Sequence, residues 1–99
     1  MLKETLSKIK GIEAAFIYGS FAKKEEAVGS DIDLFIVGKV DDSRLLREIR
    51  RLEKLLKREI NYSIFVKDEF KKKVKEKDSF IIDLLENPKI FVVGNEDDL

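Results

Sequence analysis

The sequence predicts an α/β (α+β) fold, a small mixed β-sheet of about four strands covered by helices. Short β-branched and aromatic runs alternate along the chain with longer amphipathic segments, which implies a mixed or parallel sheet with helices packed on it. Of its 99 residues, 43% are hydrophobic and 40% charged, enough apolar matter for one modest core and enough charge to cover it. No internal repeat, low-complexity tract or linker interrupts it, so residues 1–99 read as a single domain.

Each element has its own signal. Leu2, Leu6 and Ile9 recur at helical spacing and predict a short amphipathic helix within the first ten residues, ended by Gly11. IEAAFIYG lies between Gly11 and Gly19, is too short for a free-standing helix and is rich in strand formers, so it reads as a strand. SFAKKEEAVGS fits one or two helical turns followed by a loop at Gly29. In DIDLFIVG the strand alternation puts Ile32, Leu34 and Ile36 on one face and Asp31, Asp33, Phe35 and Val37 on the other. The two carboxylates therefore share a face.

From Asp42 to about Arg58, Leu45, Leu46, Ile49, Leu52, Leu55 and Leu56 mark the inner side of a long helix. INYSIFV reads as a third strand and DEFKKKVKEKD as a charged helix facing inward through Phe70 and Val74. SFIIDLLENP gives a further helix stopped at Pro88, and KIFVVG a last strand at or near a sheet edge. Phe16, Tyr18, Phe35 and Phe65 fall in strands and read as core rather than as base-stacking residues.

Composition narrows the chemistry. With 20 basic and 20 acidic residues the chain lacks the footprint of a non-specific nucleic-acid binder, and no direct nucleic-acid binding is expected. It has neither Cys nor His, which excludes disulfides, thiolate or imidazole metal sites, and any mechanism needing a His base or Cys nucleophile. Carboxylates, hydroxyls, Lys, Arg and backbone amides remain. No segment approaches the roughly 20 apolar residues that span a bilayer, so no membrane contact and a cytoplasmic location are expected.

Asp31 and Asp33, one residue apart on a strand, are spaced to ligate one ion or bridge two, and hard oxygen ligands of this kind suit Mg²⁺. Gly19 and Ser20 follow a strand and open a helix, where free amides favour an anion and Gly permits a phosphate to come close. Ser30, just before the first Asp, is a third candidate nucleotide contact. Alone, a D-x-D is more often a turn or a solvated pair than a metal site, and Ser20 could be only a helix cap. Lys23 and Lys24 lie near the turn but read as solvated surface residues. The combination is more specific: Gly-Ser, a spacer of ten residues, then Asp-x-Asp on a second strand.

On these residues the stretch FIYGSFAKKEEAVGSDIDLFIVG resembles the DNA polymerase β-like nucleotidyltransferases, in particular the minimal nucleotidyltransferases. REINYSIFVKDEF and NPKIFVVGNEDDL look like the C-terminal half of such domains. The resemblance implies a nucleotidyltransferase fold with a nucleoside triphosphate and Mg²⁺ as ligands. Active members move a nucleoside monophosphate onto an acceptor hydroxyl and release pyrophosphate, and some modify a partner HEPN-type protein. Carried over, Gly19 and Ser20 contact phosphate while Asp31 and Asp33 bind metal. The third carboxylate of active members, the usual base, corresponds to Asn61 in this chain.

An amide accepts hydrogen bonds but takes up no proton at neutral pH, so Asn61 leaves two outcomes open, transfer or slow to absent transfer with nucleotide binding retained. The alternative is a catalytically weak or inactive nucleotide-binding or protein-interaction module, the antitoxin-like partner of a HEPN-type protein. Glu59 would share Asn61's side if the strand began early, though it equally fits a solvated helix end. The small size predicts an open cleft completed by a partner protein or, in a homo-oligomer, by a second copy.

Overall fold

The structure, a computed structural model, describes residues 2–19 and 31–99; the expected turns over SFAKKEEAVGS lie outside the described residues. The apolar runs form strands β1 (Ile12–Tyr18), β2 (Ile32–Gly38), β3 (Ile60–Phe65) and β4 (Ile90–Val93). They pair in one four-stranded sheet of order β3-β2-β1-β4. β1 is antiparallel to both neighbours, whereas β2 and β3 run parallel, so the sheet is mixed as the alternation predicts. A parallel pair needs a long crossover, and helix α2 (Asp42–Leu56) supplies it. Helices α1 (Leu2–Ser7), α3 (Lys67–Lys75) and α4 (Ser79–Glu86) and a 3₁₀ turn at Glu96–Asp98 complete the described elements. None of the described helices is long and apolar enough to cross a membrane.

Side-chain alternation divides the interior in two. Ile32, Leu34 and Ile36 join Ala15 and Ile17 beneath α1 and α2, packing on Leu6, Leu45, Ile49 and Leu52. Phe35 and Val37 join Ala14 and Phe16 on the opposite face, against Phe70 of α3 and Ile81 and Leu84 of α4. β2 is thus covered on both sides, which is why its sequence reads as an almost continuous apolar run. Asp33 is the one residue of β2 that is not buried.

α2 begins where Asp41 accepts hydrogen bonds from the amides of Ser43 (2.9 Å) and Arg44 (3.3 Å). It ends at Lys57, whose φ of 56° places it in the left-handed region. Its inner stripe is narrower than expected. Leu45, Ile49 and Leu52 are buried and Leu56 is half-buried, but Leu46 and Leu55 are exposed. At 3.6 residues per turn those two project about 80–100° to either side of the stripe, beyond reach of the sheet.

α4 opens at Asp78, which accepts from the amides of Phe80 (3.0 Å) and Ile81 (3.3 Å). It closes at Asn87, held extended (ψ 159°) as a residue before proline must be. β4, at the sheet edge as expected, then begins beside the C-terminal end of β1, with Ile17 opposite Ile90.

Candidate active site

The C-terminal end of β1 and the N-terminal ends of β2 and β3 meet at one end of the sheet. The β1–β2 register sets Tyr18 opposite Asp33, and the β2–β3 register sets Asn61 beside Asp33. Period-two alternation then directs Asp31, Asp33, Tyr18, Asn61 and Ser63 to the face covered by α3 and α4. Asn61 Nδ2 donates to Asp31 Oδ2 at 3.2 Å. Asp31 and Asn61 are exposed and Asp33 is half-buried.

Gly19 completes the cluster. It adopts φ +75°, and a Cβ there would stand 2.6 Å from Asp33 Oδ2. Only a residue without a side chain lets the turn come this close to the carboxylate. No ion pair among the described residues involves Asp31 or Asp33.

Tyr18 packs against the second core, as its strand position suggests, yet its phenol also reaches the site. Burial raises its pKa above the usual phenol value and the Asp33 carboxylate adds to the rise, while the hydrogen bond with the Ser63 side chain opposes it. Beneath lies an aromatic floor: Phe35 stacks on Phe16 at 5.3 Å and on Phe65 at 5.2 Å between ring centroids.

Sequence reasoning named Gly19, Asp31, Asp33 and Asn61, and the structure brings these four together. Ser20 and Ser30, with Lys23 and Lys24, lie outside the described residues. Glu59 is exposed and precedes β3; its carbonyl accepts from the Ile32 amide at 2.9 Å. From sequence Tyr18 reads only as core, and its place directly before Gly19 is the one signal that it borders the site.

The donor set suits a hard cation. Two carboxylates lie on adjoining positions of one face, and among the described residues no cluster of three or more carboxylates is present to enclose an ion. Mg²⁺ is characteristically held by one or two carboxylates, the rest of its shell being waters and substrate phosphates. A larger hollow, about 400 Å³, lies between α1 and α2 on the other side of the molecule. Its two guanidinium groups are already engaged, Arg44 with the Lys8 carbonyl and Arg51 with Glu48 and Thr5.

The sheet, the glycine corner and the paired aspartates define a nucleotidyltransferase-type domain. The chain belongs to the polymerase beta nucleotidyltransferase family, whose profile matches residues 1–92. One similar solved structure is a toxin–antitoxin with AMP-PNP, at a TM-score of 0.64 and 12% identity, covering 99% of this chain and 77% of that one. Another is the MntA-HpeT toxin–antitoxin carrying two Asp-to-Glu substitutions, at a TM-score of 0.65 and 11% identity, covering 98% of this chain and 73% of that one. At such identities the likeness is one of fold. No curated protein matches the chain.

Proposed function

We propose that this protein is a Mg²⁺-dependent nucleotidyltransferase that moves a nucleoside monophosphate from a nucleoside triphosphate, ATP for preference, to a hydroxyl on a partner protein. The carrying observation is the convergence of Asp31, Asp33 and the Gly19 corner at one end of the sheet. Asp31 and Asp33 would hold the cation, which when bound neutralises phosphate charge as it develops. Gly19 keeps the corner open beside Asp33, and with Ser20 and Ser30 would contact the phosphates. In the transfer, the acceptor oxygen bonds to the α-phosphorus, the bond to the bridging oxygen breaks, and pyrophosphate leaves. The hydroxyl proton passes to solvent at this exposed site, because the Asn61 amide does not take it up.

A toxin–antitoxin assembly in both similar structures, and AMP-PNP in one, support ATP and a partner protein, which we assign to the HEPN type. Asn61 favours a second reading. Its amide donates to Asp31 where active members of the family carry a carboxylate, which suits a module that binds nucleotide and partner without transfer.

Incubation with α-labelled ATP and Mg²⁺, alone and with proteins encoded beside it, separates the two. Label that moves to a partner with the wild type, and not with Asp33→Asn, establishes transfer. Bound ATP that stays intact establishes the module, and absence of binding sinks both.

A further inference from the structure

A second hollow adjoins the aspartates. Its volume is about 60 Å³ and its walls are Tyr18, Gly19, Phe80, Asp83, Leu84 and Asn87. It shares Gly19 and Tyr18 with the aspartate cluster and lies on the same face of the sheet. The topology explains this adjacency: α4 ends and β4 begins at the same end of the sheet where β1 delivers Gly19.

The walls carry two kinds of recognition. Phe80 is 45% exposed although its ring lies edge-on to Tyr18, with centroids 6.2 Å apart. It presents an aromatic surface on which a planar heterocycle can stack. The polar wall is one-sided. Asn87 Nδ2 donates to the Asp83 carbonyl (2.6 Å) and to Asp83 Oδ1 (3.0 Å). Both neighbours are acceptors, so the amide orientation is fixed and both its hydrogens are used. Among the described residues nothing donates to Asn87 Oδ1 or Asp83 Oδ2, and both are acceptors. A carboxylate here repels phosphate, so the hollow suits the other end of a nucleotide.

We propose that this hollow receives the edge of the nucleobase and selects bases bearing an exocyclic amino group, adenine foremost. The proposal rests on the nucleotide-binding reading above. A space of 60 Å³ holds about two waters, enough for a base edge with the ring lying over Phe80 and the sugar outside. An amino group donates into the two free acceptors, whereas the 6-oxo group of hypoxanthine or the 4-oxo group of uracil meets them oxygen to oxygen.

The test is calorimetric titration of the full chain, in Mg²⁺, with ATP, ITP, UTP and inorganic tripolyphosphate. ATP is expected to bind about tenfold tighter than ITP or UTP, a hydrogen bond to a charged acceptor being of that order. Asp83→Asn turns the free acceptor into a donor and is expected to bring the ATP-to-ITP ratio to about one, leaving tripolyphosphate unaffected. Phe80→Ala is expected to weaken all three nucleotides roughly fivefold or more, again sparing tripolyphosphate. Equal affinity for ATP, ITP and UTP, with tripolyphosphate bound, overturns the base subsite alone. Failure of tripolyphosphate to bind removes the phosphate site and both proposals with it.

Discussion

Asn61 and Asp31 place an amide and a carboxylate 3.2 Å apart at an exposed sheet end, where the amide hydrogen relieves the negative charge beside it. Asn61→Asp replaces that donor with a like charge. Without metal the variant is expected to lose about 1 kcal/mol, the usual cost of like charges side by side on a sheet. Mg²⁺ should reverse the loss, since three carboxylates then share one cation. Melting curves in EDTA and in Mg²⁺ check this, and a variant destabilised equally in both would count against a cation between these strands. On the transferase reading the restored base should also speed labelled transfer by roughly 10²–10⁴-fold, the range for general-base catalysis. Gly19 tests the other side of the cluster. A methyl there meets Asp33 Oδ2 at 2.6 Å and the backbone sits at φ +75°, so Gly19→Ala is expected to cost about 1–2 kcal/mol. It should also weaken Mg²⁺-dependent ATP binding at least tenfold by turning the carboxylate away. Calorimetry that finds native affinity in the folded variant would show that the close approach has no part in binding.

At the scale of elements, strands and helices were legible because their periods are local. Ile32, Leu34 and Ile36 against Phe35 and Val37 predicted the two faces of β2, and the two cores divide along that line. Helix α2 shows where local pattern runs out. Counting apolar residues from Leu45 to Leu56 placed six on the inner side, but the helical angle admits only Leu45, Ile49, Leu52 and Leu56. Leu52→Ala is therefore expected to cost about 2–5 kcal/mol and Leu46→Ala less than about 0.5 kcal/mol, as read by urea denaturation. Comparable losses at both positions would mean that the outer face of α2 is covered in solution. The candidate site divides in the same way. Gly19, Asp31 and Asp33 stood out because a small residue and two acids broke apolar runs at fixed spacing. Phe80, Asp83 and Asn87 were not legible as a site, since they follow ordinary helical spacing and meet Tyr18 only once α4 packs on the second core and β4 pairs with β1. Such a contact between segments distant in sequence leaves no periodic trace.

Considered whole, the molecule has two cores that hold a central strand from both sides and a polar end where three strands stop together. The cores support the strands, and the strands fix the spacing of Asp31, Asp33 and Asn61, so unfolding disperses the cluster. A ligand of that cluster binds the native state alone and must raise its stability by mass action. Mg²⁺ and ATP present at about 100 times the dissociation constant should add about 2.7 kcal/mol. In a chain of this size each kcal/mol moves the midpoint by roughly 4–8 °C, so the expected rise is roughly 10–20 °C. Asp33→Asn should abolish most of it, and ATP with EDTA should give far less than ATP with Mg²⁺. The rise is expected whether or not transfer follows, because it reports binding and not turnover. A protein whose melting point ignores Mg²⁺ and ATP together, while the cores remain folded, would have neither the transferase nor the nucleotide-binding function.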